Sequence, residues 1–168
     1  MGLLAVAALS AVAVLVLRLA PVGPRPVEVF FVQYDPAGHS GTLVEVNRAA
    51  PPAGASVRLE EALRALLAGP TPEEQRRGLR SEIPDGTALR TVRIQRGVAA
   101  VDLTGAFAHG GGSSSILARV WQIVYTTTQF RGVSAVQITL DGQHVKALGG
   151  EGVVIDAPLR RPATVPRF

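Results

Sequence analysis

The spacing of hydrophobic and polar positions separates an apolar N-terminal run from a longer stretch of short, alternating elements. Residues from Gly2 to Leu17 carry no charge, and Pro21 ends any helix that they form. Beyond Pro26, β-branched and alternating segments predict strands, and apolar residues three or four positions apart predict helices. Strands are predicted at residues 27–33, 42–46, 88–94, 98–103, 133–140 and 153–156.

Two longer helices are predicted between these strands. The first covers residues 57–68, with Ser56 as its N-cap. The second runs from Ser113 to about Gln129 and starts in a run of serines, where serine is again the expected cap. Its last turn contains Thr126–Thr128, which are poor helix formers. Either the helix frays there or it presents hydroxyl groups at its end.

A short helix is predicted between the two longer ones from a capping signature. Thr71 is the predicted N-cap, Pro72 occupies the first helical position, and Glu74 completes a capping box. Glu73 and Glu74 are therefore interpreted as the start of a helix rather than as an acid–base pair.

Two dipeptides predict tight hairpins, Arg96-Gly97 and Asp141-Gly142. Strand pairs thus alternate with helices, which predicts an α+β fold: a single mixed, largely antiparallel sheet with two to three helices packed on one face. The expected organisation is a transmembrane anchor or signal sequence (1–20), a proline-rich spacer (21–26), one folded domain (27–157) and an irregular tail (158–168).

The apolar run is interpreted as a membrane segment, because it is close to the roughly 20 residues that a hydrocarbon core requires. A cleaved signal peptide needs a basic region before the apolar one and a small residue three positions before the cut. No lysine or arginine precedes Leu3, and Arg18 occupies that third position for a cut after Ala20. An uncleaved anchor is therefore favoured. Taken alone, Arg18 and Arg25 favour a cytoplasmic domain.

Composition narrows the function classes. The 168 residues carry 17 basic and 13 acidic side chains, which gives a net charge of +4. The basic residues are scattered, and the aromatic residues do not interleave with them, so nucleic-acid binding is not expected. The sequence contains no cysteine, which excludes a disulfide, a thiolate metal site, a cysteine nucleophile and a lipid-modified cysteine.

The search for chemistry yields weak signals. The loop His109–Gly112 is similar to the oxyanion loop of some esterases, but the G-x-S-x-G elbow that should accompany it is missing. Its continuation, Ser113–Ser115, is either a helix cap or an anion site at the free amides of a helix start. His39, His109 and His144 lack the helical spacing of zinc ligands. Asp102 is expected to bind backbone amides where its strand turns.

No catalytic, cofactor-binding or metal-binding residue is therefore predicted, and no cofactor is expected. The residues that bind a ligand or a partner stay unassigned, as does the oligomeric state.

Several segments together resemble the GerMN domain family of sporulation and spore germination. In order, they are ALRALLAGP (62–70), SEIPDGT (81–87), GVAAVDLTGAF (97–107), QIVYTTTQF (122–130) and VQITLDG (136–142). The resemblance implies a bacterial domain outside the cytoplasmic membrane, behind an anchor, that acts as an interaction module in a cell-envelope assembly. It implies no catalytic residue, and it places the domain outside despite the two arginines.

The predicted function is that of a non-catalytic, extracytoplasmic scaffold or adaptor domain, held in the membrane by its N-terminal helix and bound to another cell-envelope protein. The alternative is a binding module for an envelope glycan, a lipid headgroup or another small anionic ligand.

Overall fold

The first strands of the chain form an antiparallel ladder. The computed structural model describes residues 25–149 and 152–168. β1 (Val27–Tyr34), rich in β-branched and aromatic residues, pairs along its whole length with β2 (Gly41–Arg48). β3 (Leu79–Arg80) lies on the other side of β1 and pairs only with Val32 and Gln33. β1 is therefore the central strand of a three-stranded ladder with order β2-β1-β3.

A second ladder contains the next strands. β4 (Leu89–Gln95) and β5 (Val98–Leu103) form the predicted hairpin. Its turn residues, Arg96 and Gly97, have φ angles of 49° and 82°, as a tight hairpin turn requires. β6 (Ala135–Leu140) is parallel to β5, so the chain crosses over between them through a helix.

The last strands are short. The second predicted hairpin is also present, because Asp141 and Gly142 both have positive φ angles and turn the chain into β7 (Gln143–His144). β8 (Ala147–Leu148) and β9 (Val153–Val154) form a separate two-stranded ladder.

Within residues 25–149 and 152–168, three helices connect these strands: α1 (Ala55–Leu67), α2 (Pro72–Arg76) and α3 (Ser113–Thr127). A 3₁₀ turn, Gly105–Ala108, lies between β5 and α3. α1 contacts β1, β4 and α3, so it bridges the two larger ladders. Its buried leucines belong to one apolar core with residues of both ladders, among them Val29, Phe31, Val101 and Ile138.

The structure confirms one of the three N-caps that the sequence predicts. The capping box is confirmed: the Thr71 hydroxyl accepts from the Glu74 amide at 3.3 Å, and the Glu74 carboxylate accepts from the Thr71 amide at 2.8 Å. The prediction of Ser56 as N-cap is wrong. α1 begins at Ala55 after Gly54, which places Ser56 inside the first turn. Glycine is tolerated at an N-cap at little cost.

The edge of β1 that faces away from β2 is closed by side chains of α3 and by Gln129, two residues beyond the end of that helix. The Phe30 amide donates to Thr126 Oγ1 at 3.2 Å, and Gln122 Nε2 donates to the Phe30 carbonyl at 3.0 Å. The Glu28 amide donates to Gln129 Oε1 at 2.7 Å, and Gln129 Nε2 donates back to the Glu28 carbonyl at 2.6 Å. Four backbone groups of a strand edge are thus bonded to side chains of α3 and to that of Gln129 instead of to another strand.

This closure separates the ladders. The α+β class, with three helices and mixed strand directions, is confirmed. Among the described residues, however, the strands form three ladders where the sequence predicted a single sheet. A further strand cannot pair with β1 at Glu28 and Phe30, because the backbone groups that it would bond are already occupied.

The tail has no helix or extended strand, but it is attached to the fold. Leu159 forms an isolated bridge with Val136, and Arg167 forms one with Thr42. Between them, the Arg161 guanidinium lies 4.4 Å from the centroid of the Tyr125 ring and donates to the Tyr125 carbonyl at 2.7 Å. A cation is favourable at this position because the C-terminal end of a helix carries partial negative charge.

None of the helices within residues 25–149 and 152–168 has the length and apolar character needed to cross a bilayer. The predicted anchor (1–20) and most of the predicted spacer (21–26) lie outside the described residues.

An ion pair joins α2 to β2. Arg48 Nη2 and Nη1 donate to the two carboxylate oxygens of Glu74 at 2.6 and 2.7 Å, and only 11% of the Glu74 side chain is exposed. The bonds from Arg48 lower the pKa of Glu74 from 4.5 to about 2, against the opposing effect of burial. The same carboxylate completes the capping box, so it stabilises both the start of α2 and its contact with β2.

We expect the stability of the protein to depend on pH through Glu74. Because its pKa is lower in the folded state, the stabilisation is complete above pH 4.5 and is lost as the pH falls toward 2. The loss amounts to about 3 kcal/mol. Chemical denaturation at a series of pH values measures it, and Glu74→Gln should remove this dependence while Glu73→Gln, an exposed neighbour, retains it. The prediction is wrong if the free energy of unfolding depends on pH equally in both variants.

Candidate functional site

The glycine-rich loop before α3 is folded around a buried arginine. Arg119 Nη1 donates to the carbonyl oxygens of Phe107 and His109, each at 2.9 Å. Its Nη2 donates to the Gly110 carbonyl at 3.0 Å and to Ser115 Oγ at 3.2 Å. The loop therefore directs its carbonyl groups inward. An oxyanion site needs the opposite arrangement, with amide N–H groups directed at the reacting oxygen.

Arg119 is a buried cation without a carboxylate in contact among the described residues, and only 2% of its surface is exposed. Burial lowers the pKa of Arg119, and the charge of Glu82 raises it. Arginine nevertheless stays protonated in proteins. The three carbonyl dipoles compensate for the missing counter-ion, so this side chain stabilises the loop.

Gly111 is the position where the loop needs glycine. Its φ of 80° disfavours other residues, and a Cβ there would collide with the Arg119 guanidinium and lie 2.8 Å from Ser115 Oγ. The run of glycines thus allows the loop to approach the buried arginine closely.

The serine run is not the cap of α3. The N-cap is Gly112, which makes no side-chain hydrogen bond, and Ser113–Ser115 lie in the first turn. Ser115 accepts from Arg119 instead. An open cavity of about 410 Å³ lies at this helix start. The described residues that line it are Gly111, Gly112, Ser113, Ile116, Leu148, Gly152 and Val153. None of these residues is basic.

Asp102 has the structural role that the sequence predicts. Its Oδ1 accepts from the Gly142 amide at 2.9 Å and from Thr139 Oγ1 at 2.8 Å. Its Oδ2 lies 3.4 Å from Arg90 Nε, and Arg90 also contacts Asp141 Oδ1 at 3.0 Å. The carboxylate therefore fixes the turn between β6 and β7.

The histidines are dispersed. His39, His109 and His144 are all exposed, and His39 is held in its turn by a bond from its amide to Asp35 Oδ1 at 2.8 Å. Across residues 25–149 and 152–168, no three metal-ligating side chains come together. The three histidines therefore do not form a common site.

The threonines at the end of α3 divide between two roles. Thr126 is fully buried and accepts from the Phe30 amide, while Thr128 Oγ1 donates to the Val124 carbonyl at 2.7 Å. The turn neither frays nor presents these hydroxyls at the helix end: those of Thr126 and Thr128 bond to the backbone, and the Thr128 amide donates to the Val124 carbonyl. The hydroxyl of Thr127 is buried without a hydrogen-bond partner among the described residues.

A cleft that the sequence does not indicate lies between the end of α1 and the segment after β3. It has a volume of about 490 Å³, and its walls include Ala68, Pro70, Ser81, Ile83, Pro84 and Asp85. Nearby, Tyr34 donates to Glu82 Oε1 at 2.8 Å. Burial, together with this bond, raises the pKa of Tyr34 to about 12. The cleft borders β3, the short edge strand of the first ladder.

Replacing Arg119 by methionine leaves three carbonyl groups and a hydroxyl group without their donor. We expect the free energy of unfolding, measured by chemical denaturation, to fall by about 3 kcal/mol or more. Lysine should recover only part of the loss, since one ammonium group cannot reach all four oxygens.

The exposed Arg93 provides the matched control, and Arg93→Met should change stability by less than about 0.5 kcal/mol. The account is wrong if both methionine variants unfold at the same denaturant concentration.

Comparison with solved structures identifies the same fold in three cases. The first GerMN domain of the sporulation protein GerM from Bacillus subtilis is 22% identical, with a TM-score of 0.61 over 82% of this chain and 98% of that one. The tandem GerMN domains of the same protein give 18% identity and a TM-score of 0.63, over 87% of this chain and 49% of that one.

The third structure is described as "Putative Lipoprotein from Clostridium perfringens". It is 20% identical, with a TM-score of 0.59 over 83% of this chain and 89% of that one. We found no curated protein with a significant match to this sequence.

At sequence level, the model of the Germane family, described as sporulation and spore germination, matches residues 28–146. This match confirms the resemblance noted from the sequence segments. The chain belongs to the Germane family of sporulation and spore germination domains.

Proposed function

We propose that this protein is a non-catalytic interaction domain of a bacterial cell envelope, held in the cytoplasmic membrane by residues 1–20 and facing the extracytoplasmic side. Its partner is another envelope protein. Family membership and the likeness to domains of a sporulation protein and of a described lipoprotein support the envelope setting. The uncharged run from Gly2 to Leu17 supports the anchor.

One observation supports a binding role above others: the polar groups that could perform chemistry are engaged in holding the fold. Arg119 is bonded to the glycine-rich loop, and Asp102 to the turn between β6 and β7. A catalytic acid, base or nucleophile must instead be within reach of a substrate. The arrangement of the described residues therefore favours binding through a surface over catalysis at a reactive centre.

The cleft beside β3 is the best-supported place for the partner. β3 pairs with β1 on one side only, so its other side is a sheet edge to which an extended segment can add. The cleft is polar and open, with Asp85 exposed at its rim. A partner peptide could gain main-chain bonds at the edge and side-chain contacts in the cleft.

The alternative, a module that binds a small anionic ligand, is supported by the cavity at the start of α3. A helix N-terminus offers amides to an anion, and Ser113 lines the cavity. The described lining provides no positive charge, which makes this alternative the weaker one. Bulky replacements of Ser113 and Ser114 should abolish such binding, and unchanged binding would exclude the cavity.

A photo-crosslinking amino acid at Asp85, introduced into the full chain in native membranes, tests the adaptor role. We expect it to capture one envelope protein reproducibly after irradiation, because the side chain lies at the rim of the cleft. The matched control is the same amino acid at Gln143, which is exposed in β7 and is not among the residues that line the cleft. Products would be identified by mass spectrometry.

Capture at position 85 but not at 143 would support a partner at the cleft. Equal capture at both positions, or none at either in a correctly inserted protein, would contradict the adaptor proposal and direct attention to the cavity at α3.

A further inference from the structure

Four arginines converge at the end of the fold where β1 begins. Arg58 Nη2 donates to the carbonyls of Arg25 and Pro26 at 3.3 and 3.0 Å. The Arg58 guanidinium also lies 5.8 Å from the centroid of the Phe130 ring, and Arg131 follows that ring in the chain. The fourth, Arg96, is in the β4–β5 turn. We call Arg25, Arg58, Arg96 and Arg131 the basic pole.

Arg96 belongs to this end because its turn is bonded to the segment that follows Phe130. The amide and hydroxyl groups of Ser134 both donate to the Gly97 carbonyl, at 2.8 and 3.2 Å. Ser134 is three residues from Arg131, so the two arginines project from adjacent loops. Strand β1, the β4–β5 turn, α1 and the loop after α3 thus bring positive charge to one surface.

The charge of the basic pole is not neutralised by ion pairs with described residues. The ion pairs of the fold involve other arginines: Arg48, Arg64 and Arg90. Glu28 also lies at this end, but the charged side chains that act on its carboxylate are Glu45 and Arg161, which are outside the basic pole. Arg25, Arg96 and Arg131 are exposed. A surface of this kind attracts anions, and the attraction is screened by salt.

The path of the chain indicates which anions these are. Six residues, Pro21–Pro26, separate the predicted membrane segment (1–20) from β1, and three of them are proline. In an extended polyproline conformation they span about 19 Å at about 3.1 Å per residue. The basic pole is where this segment enters the fold, so it cannot lie much farther than that from the end of the membrane segment.

The geometry points to the basic pole as a docking surface for the anionic lipid headgroups of the membrane that holds residues 1–20; this inference rests on the proposed membrane attachment. Basic side chains close to a bilayer surface each contribute to its binding. Docking at this end directs the opposite end of the domain away from the bilayer. There β3 pairs with Val32 and Gln33, so the cleft faces outward toward a partner.

The absence of cysteine from the sequence makes a direct distance measurement possible. The full chain is reconstituted in vesicles of phosphatidylcholine alone or with phosphatidylglycerol, each containing a headgroup-labelled acceptor lipid. A single donor dye is attached at Ala53→Cys, beside Arg25 and Arg58, or at Ala37→Cys, in the turn after β1 at the other end. Energy transfer to the acceptor reports which end is near the headgroups.

In vesicles with phosphatidylglycerol, we expect strong transfer from position 53 and weak transfer from position 37. The triple variant R25Q/R96N/R131Q should lower the ratio of docked to undocked domain by roughly 100-fold and reduce the difference between the two dyes. The matched control is R76Q/R77Q/R80Q, which removes the same charge near Gln33 at the other end and should leave transfer unchanged. About 1 M salt should act like the triple variant, because it shortens the screening length to about 3 Å.

Transfer from position 53 that is the same in both vesicles, or that survives the triple variant and salt, would overturn the docking. The salt series on the unsubstituted arginines gives this answer even if the triple variant fails to fold. A chain that does not float with either vesicle would instead overturn the membrane attachment, and the docking with it.

Discussion

The fold depends on how the second edge of β1 is closed. On one side β1 has a complete strand partner, but on the other its Glu28 and Phe30 backbone groups are bonded by Gln122 and Thr126 of α3 and by Gln129, just beyond the end of that helix. Gln122 and Thr126 are four residues apart, which places them on one face of the helix, and Gln129 follows two residues after the helix ends. Because this edge is buried, an unbonded amide or carbonyl group there would destabilise the fold by more than a typical hydrogen bond stabilises it. α3 is therefore fixed in position and direction against β1.

The same helix holds the glycine-rich loop through Arg119, three residues before Gln122. Both side chains are buried within a helix that is otherwise apolar on this part of its surface. Gln122 also accepts from the Glu82 amide at 2.8 Å, which links α3 to the segment that lines the cleft. The two buried polar side chains of α3 are thus bonded to three parts of the backbone: the glycine-rich loop, β1 and the segment that lines the cleft. This engagement is the physical basis for proposing a binding domain instead of an enzyme.

Local signals in the sequence predicted three local features correctly, although two of the three predicted N-caps were wrong. The capping box at Thr71 and the hairpins at Arg96-Gly97 and Asp141-Gly142 depend on interactions between residues a few positions apart, and all three are present. The division into separate ladders depends on bonds between residues about 100 positions apart, such as Glu28 with Gln129. No pattern in the strands reveals such bonds. The available signal was in α3, where Arg119 and Gln122 interrupt a face formed by Ile116, Val120 and Ile123.

The two ends of the domain are chemically different, and β1 connects them. One end receives the chain from the apolar segment and carries the basic pole; the other contains β3 and the cleft. Their separation, about 25 Å along β1, lets one end face a membrane while the other meets a partner. A rigid connection between them requires that β1 keep both of its edges bonded.

Amide hydrogen exchange of Phe30, followed by NMR, tests this closure most directly. If Thr126 and Gln122 close the edge, the Phe30 amide exchanges only when the whole domain unfolds, and its protection equals the free energy of unfolding. Exchange of that amide at the rate of an open strand edge, in an otherwise protected domain, would contradict the account.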